Sequence, residues 1–250
     1  VIDPAQALQG ALRPAPDTAR PAVALRTALV VGAAGRLGEA VLERLAGRGP
    51  VFVAVRARFE STFAHVQPWA MAEGAPGHAT LPPVDDLWCV GSGGATDASF
   101  HRRDAAYRAF DPAETVELAR AARLAGVRRL IVVAPLAALH QLDASALGLA
   151  DLDEARIAAM GFEAVVFVRP TPAEHATRSG PWLERVAQWW LGTLAHYLTP
   201  KTLAPLTSDV AARAMTEAVA DLVSGNHVVG AQRLHAVAGE RKGRGAAIRR

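Results

Sequence analysis

The stretch that most restricts how this chain can fold is TALVVGAAGRLGEAVLERLAG, residues 27 to 47. An apolar run opens directly into glycines at three-residue spacing, Gly32, Gly35 and Gly38, and apolar residues then recur at helical intervals through Leu37, Ala40, Val41 and Leu45. That order reads as strand, tight turn and amphipathic helix. Each glycine has its own task in such a unit. Gly32 permits the turn, Gly35 removes the side chain that would hold backbone N–H groups away from a pyrophosphate, and Gly38 lets the helix approach its strand. Amides between Val31 and Leu37 then converge at the positive end of a helix, a place suited to a diphosphate. Ala34, Arg36 and Leu37 complete the expected nucleotide loop with the three glycines.

Short β-type runs and helical patterns continue to alternate: VFVAVR at 51–56, DLWCVG at 86–91, a helix from Pro112, RRLIVVA at 128–134 and AVVFVRP at 164–170. Alternation of this kind predicts an α/β, Rossmann-like, doubly wound parallel sheet, here as a single domain over residues 26–238. Asp111-Pro112-Ala113-Glu114 has the form of a capping box, followed by Leu118, Ala121, Ala122 and Ala125 on one face and Gly126 as the stop. Ser208 is the expected cap of a later helix that carries Val210, Ala214, Ala218 and Leu222 and ends at Gly225. Residues 1–25, rich in proline and alanine without periodicity, read as an extension that wraps the domain or is partly disordered. Residues 239–250 read as a basic, solvated tail.

Composition narrows the function classes. The formal net charge is +3, and the cations are almost all arginine, since Lys201 and Lys242 are the only lysines. These arginines are dispersed rather than stacked on one face between aromatics, which argues against a nucleic-acid partner. No apolar run is long enough for a membrane span and no charged-then-apolar leader is present, so no membrane partner and a cytoplasmic location are expected. The lone Cys89, inside Leu87-Trp88-Cys89-Val90, reads as a buried hydrophobe in a reducing compartment. The histidines show no ligand spacing, and no metal is expected.

The end of the second strand bears on which nucleotide fits. NAD-binding sheets usually place a carboxylate there, about 20 residues beyond the glycines, to receive the ribose hydroxyls. Val51-Phe52-Val53-Ala54-Val55 instead leads to Arg56 and Arg58. Forked, charge-assisted hydrogen bonds from these arginines suit a 2′-phosphate, so NADP(H) is the expected cofactor and NAD(H) the alternative. Arg36 either joins them or faces solvent.

At this level of detail the chain resembles the atypical short-chain dehydrogenase/reductase family, in particular its NmrA-like and Tat-interacting-protein-like NAD(P)-binding branch. The matching pieces are VVGAAGRLG at 30–38, DDLWCVGSGGAT at 85–96, FDPAETVELARAARLAGVRRLIVVAPLAA at 110–138, GFEAVVFVRP at 161–170 and SDVAARAMTEAV at 208–219. The resemblance implies that Gly91, Ser92 and Gly93 form the loop that closes over the cofactor after the fourth strand. It also implies that Arg169-Pro170 marks the nicotinamide side of the cleft and that residues 171–207 build its substrate side.

The same resemblance exposes a departure. Active members carry a serine after the fifth strand and a Tyr-x-x-x-Lys pair, in which the hydroxyl protonates a carbonyl as hydride arrives and the ammonium lowers its pKa. Aligned on VVAPLAA and Glu154, these positions fall at Ala134-Pro135, about Ala146 and about Ala150. Alanine has no proton to give, and neither Tyr107 nor Tyr197 is followed by lysine at the fourth residue. His140 and Ser145, between the fifth strand and the next helix, are the candidate replacements, with a plain surface histidine as the alternative. In GPWLERVAQWWLGTLAHYLTP, residues 180–200, Val186, Trp190, Leu194 and Tyr197 share a helical face that reads as core or homodimer interface, or as a substrate pocket.

Two functions follow. One is an NADPH-dependent reductase of a quinone-like or other conjugated acceptor, whose electron demand replaces the missing tyrosine. The other is a catalytically inactive NADP(H)-binding redox sensor or interaction scaffold.

Overall fold

A computed structural model of the chain describes residues 26–56, 65–71, 80–91, 106–136, 149, 151–171 and 205–247, with side chains described as far as residue 239. Seven strands form one sheet in the order β3-β2-β1-β4-β5-β6-β7, and every neighbouring pair is parallel. They are β1 (Ala28–Val31), β2 (Val51–Val55), β3 (Val66–Ala70), β4 (Asp86–Val90), β5 (Arg129–Val133), β6 (Ala164–Arg169) and β7 (Gly225–Gly230). The described α-helices are α1 (Arg36–Ala46), α2 (Thr115–Leu124), α3 (Leu152–Ala158), α4 (Ser208–Ala220) and α5 (Ala231–Ala247). This is the doubly wound, Rossmann-like α/β sheet expected from the sequence. The chain winds outward from β1 to β3, then resumes beside β1 with β4, so the switch point lies between β1 and β4.

Side chains that alternate along each strand feed two cores. Val30, Val53, Trp88, Ile131 and Val166 face one side, where Val41 and Leu42 of α1 and Met215 and Val219 of α4 cover them. Leu29, Leu87, Cys89, Leu130 and Val165 face the other, under Leu118 and Ala122 of α2 and Ile157 of α3. Central strands β1, β4 and β5 are buried at every position, which is why they read as continuous apolar runs instead of alternating ones.

Helix boundaries follow the caps, with corrections. Gly126 stops α2 as expected, at φ +82°. Val127 N–H donates to Ala122 O and Gly126 N–H to Arg123 O, a Schellman ending. Ala125 lies exposed past the last turn, and Ala119 takes its place in the core. The cap of α4 is Thr207, one residue before Ser208, and no side chain makes a capping bond there. Its buried stripe runs through Ala211, Ala214, Met215 and Ala218, while Val210 is exposed. Gly225, expected as the helix stop, opens β7 instead. α5 runs on through residues 239–247 of the expected tail. The edge strand β3, VQPWA, carries Pro68 and mostly exposed positions, a composition that hides a strand in the sequence but is tolerated at a sheet edge.

Candidate functional site

The turn between β1 and α1 lies at the carboxyl end of the sheet, beside the switch point. Gly32 sits at φ +91°, and a β-carbon there would lie 2.1 Å from Val90 O and 2.7 Å from Phe110 Cβ. A β-carbon at Gly38 would lie 2.1 Å from Gly32 O and 2.8 Å from Ala33 Cα. Both glycines are therefore demanded by backbone packed against them. Gly35 differs: its φ is +84°, and no described residue lies within 4 Å of where a β-carbon would stand. It is also the N-cap of α1, with no side chain capping the helix. Glu39 N–H donates to Gly35 O at 3.0 Å, so the helix begins directly at the open glycine. The result is a helix N-terminus beside the strand ends with no described residue packed against its cap glycine, an arrangement that favours an anion.

A second wall was not legible in the sequence. The chain before α2 folds back across the ends of β2 and β1: Arg56 N–H donates to Ala106 O, Arg108 N–H to Ala54 O and Gly32 N–H to Arg108 O, at 2.9, 2.9 and 3.1 Å. Tyr107 bridges Val55 in antiparallel fashion, and both Tyr107 and Phe110 are buried. Arg108 is 2 % exposed. Its Nη2 donates to Glu114 Oε2 at 2.5 Å and its Nη1 to Met71 Sδ at 3.4 Å, whereas Nε has no partner among the described residues. Glu114, expected as one arm of a capping box, thus carries the counter-charge of a buried arginine. Asp111 does cap, accepting from Ala113 N–H at 2.9 Å, and the first turn, Pro112–Glu114, is 3₁₀ before α2 begins. In a chain so rich in dispersed arginine, no signal singled out Arg108.

The structure gathers part of the expected set. Gly32, Ala34, Gly35, Arg36, Leu37 and Gly38 form the turn and the first turn of α1, with Leu37 packed partly on the core and Arg36 exposed. Arg56 follows β2 directly and is exposed. Gly91 closes β4, donating its N–H to Val133 O at 2.8 Å, and a β-carbon there would come within 3.0 Å of the same oxygen. Arg58, Ser92, Gly93, His140 and Ser145 lie outside the described residues, as do Ala146, Ala150 and the aromatic segment 180–200.

On the β5–β6 side, Ala134 N–H donates to Val168 O and Leu136 N–H to Pro170 O, which fixes Ala134-Pro135 at the strand ends with no hydroxyl to offer. Arg169, buried at the end of β6, donates to Glu154 Oε2 at 2.6 Å. Asp151 caps α3 by accepting from Glu154 N–H, so Glu154 and Arg169 hold α3 to β6. Cys89, the penultimate residue of β4, is fully buried; burial pushes its thiol up and the nearby Arg108 charge offsets this only in part. A thiol so placed is packing material and not a nucleophile. Among the described residues no group of His, Cys, Asp and Glu is arranged to hold a metal, and no helix is long and apolar enough to cross a membrane.

Fold and turn together define the class: a doubly wound α/β protein with a dinucleotide-type glycine turn at its switch point. No protein-family model matches the chain, and no curated protein matches it. Similar solved structures include a short-chain dehydrogenase from Burkholderia cenocepacia in complex with NADP, at 18 % identity and TM-score 0.44, covering 90 % of this chain and 98 % of that one. The enzyme WbmH of Bordetella bronchiseptica in complex with NAD+ is similar at 12 % identity and TM-score 0.46, over 80 % of this chain and 74 % of that one. NmrA, a negative transcriptional regulator in complex with NAD, is similar at 13 % identity and TM-score 0.47, over 82 % and 65 %.

Proposed function

We propose that this chain is an NADP(H)-binding oxidoreductase of the atypical short-chain dehydrogenase/reductase type, reducing a quinone-like or other conjugated acceptor without a Tyr-x-x-x-Lys pair. The observation that carries the nucleotide reading is the contrast among its glycines: 32 and 38 are closed by backbone, whereas no described residue lies within 4 Å of a β-carbon built at 35, at the head of α1. That leaves room for a diphosphate where the helix N-terminus favours negative charge. Arg36 and Arg56, the two described arginines flanking the turn, are the residues assigned to a 2′-phosphate, and an arginine, not a carboxylate, stands directly after β2 where a free ribose hydroxyl would be received.

A bound nicotinamide supplies the hydride. The chain binds and orients it through the glycine turn, and Gly91 lets β4 end close beside β5 on the far side of the cleft. With alanine and proline at 134 and 135, and alanine at the positions that align with tyrosine and lysine, proton delivery falls to solvent or to His140. An acceptor whose reduced form is a stabilised anion needs no strong acid in the transition state. The same missing groups favour the second reading, an inactive NADP(H) sensor or scaffold.

Calorimetric titration with NADPH, NADP+ and NADH, followed by NADPH oxidation over a panel of quinones and carbonyl compounds, tests both. NADPH is expected to bind more tightly than NADH. Arg36→Ala and Arg56→Ala should each reduce that preference by about tenfold, the scale of one charge-assisted hydrogen bond. Quinone-dependent oxidation supports the reductase. Tight binding with no turnover on any acceptor replaces it with the sensor, and no binding of any dinucleotide removes both.

A further inference from the structure

We propose that residues 21–25 of this chain, Pro-Ala-Val-Ala-Leu, fold back over the amino end of the sheet and fill the cavity there. The cavity, of about 590 Å³, lies between the C-terminal ends of α1 and α4 and the first residues of β1, β2, β4 and β5. Leu45, Val51, Trp88 and Val219 make its apolar wall. A hollow with such a wall forfeits dispersion contacts that an apolar segment would supply. It stands at the opposite end of β1 from the glycine turn, so its occupant is independent of nucleotide binding.

Three observations select this occupant. First, the chain enters the described structure at the mouth of the cavity. Thr27 is pinned at the start of β4: its N–H donates to Asp85 Oδ2 at 3.0 Å, and its O accepts from the N–H groups of Asp85 and Asp86. Arg26 and Ala28 both line the cavity, with Arg26 at 3.6 Å from Asp86. Leu25 is thus bonded directly to a lining residue, and a segment tethered so closely competes at an effective concentration of about millimolar. Five extended residues reach about 17 Å, enough to cross the roughly 9 Å between packed helix axes.

Second, the charges of the lining balance. Arg26, Arg48 and Arg129 stand against Asp86, Glu217 and Asp221, so the cavity calls for an occupant without net charge. Residues 21–25 carry no charged side chain, and the flanking cations Arg20 and Arg26 bound them on either side. An ion of either sign would unbalance the lining. Third, polar groups of both kinds border an apolar wall, which is what a peptide needs. Its carbonyls accept from arginine, its N–H groups donate to carboxylates, and its Val and Leu side chains meet the wall.

Residues 1–25 lie outside the described residues, and cross-linking in the full chain tests where 21–25 sit. Pro21→Cys, Ala22→Cys, Val23→Cys, Ala24→Cys and Leu25→Cys are each paired with Ala220→Cys, exposed on the cavity rim, or with Ala125→Cys, exposed after α2 on the opposite face of the sheet. Cys89 is buried and does not compete. A disulfide needs β-carbons within about 4.5 Å, so a seated segment closes at particular positions only. Closure within one molecule is expected to be about tenfold faster to Ala220→Cys than to Ala125→Cys, with a maximum at one or two of the five positions. Val23→Asp combined with Leu25→Asp, in the otherwise native chain, should raise the fluorescence of added anilinonaphthalenesulfonate severalfold as the apolar wall is uncovered. Equal rates to the two partners, a flat pattern across residues 21–25, disulfides mainly between molecules, or unchanged dye fluorescence would each overturn the proposal.

Discussion

At the carboxyl end of the sheet the chain works by omitting side chains; at the amino end it works by interlocking them. The glycine turn lets Val90 O and Gly32 O come within 2.1 Å of where β-carbons would stand, so its geometry is held by backbone contact. At the other end, Asp86 and Arg129 are the first residues of adjacent strands, directly opposed in register, and they bind each other nearly free of water. A buried fork of this kind costs desolvation and fixes register by charge. The comparison teaches that one strand set carries two anchoring devices, a buried ion pair at one end and close backbone contact at the other.

The strongest way to break that comparison is at the charged end. Asp86→Ala strands Arg129 in a buried place, and a loss of about 3–5 kcal/mol is expected by urea unfolding. A loss below 1 kcal/mol would show that the amino end is not an anchor.

The glycines sharpen the other half of the contrast. Gly32→Ala, which meets backbone, should destabilise by about 3 kcal/mol or more, the range of severe overpacking plus a strained φ. Gly35→Ala meets no described residue and should cost only its backbone strain, φ +84° with ψ 160° being a region held almost solely by glycine, about 1–3 kcal/mol. NADPH affinity should nevertheless fall in the Gly35→Ala protein by about tenfold, as its methyl group enters the space assigned to the diphosphate. Equal stability losses in the two variants, or unchanged affinity in the second, would dissolve the distinction.

The smallest effect concerns Cys89, one residue before the carboxyl end of β4. Burial raises its thiol above the ordinary value of 9.0, so the folded state keeps the proton that the unfolded chain gives up above that pH. The unfolded state then binds fewer protons, and stability falls as pH rises above about 9, by at most about 1.4 kcal/mol per unit from this group. Cys89→Ala should flatten that slope. In the native protein the thiol should resist alkylation at neutral pH.

The sequence made the strand–turn–helix at residues 27–47 plain because its message is local: glycine spacing and a helical apolar stripe need no distant partner. The same holds for β2, β4, β5 and β6, whose near-complete burial writes itself as apolar runs with charge only at the strand ends, in Asp86, Arg129 and Arg169. β3 escaped because an edge strand needs neither alternation nor continuity, and Pro68 masked it further. Asp-Pro-x-Glu announces the helix start, where Asp111 does cap, but not that the Glu114 carboxylate also takes Arg108, whose burial no local pattern announces. Thr207 displaced Ser208 as the cap of α4, and Gly225 became a strand residue, for a related reason: turn-forming residues mark boundaries to within a few positions and leave the register to packing.

By itself, then, the sequence determined the doubly wound α/β class, the glycine turn and the lack of a tyrosine–lysine pair, because each is written in residues close together along the chain. Only the tertiary structure decided which glycines are closed by packing and which opens on space. The same holds for which arginines are buried, that residues 106–110 wall the turn, and that a cavity lies under the far end of the sheet. Those outcomes depend on strands that meet across dozens of residues, where the energy of a contact is set by the partner and not by the neighbours in sequence.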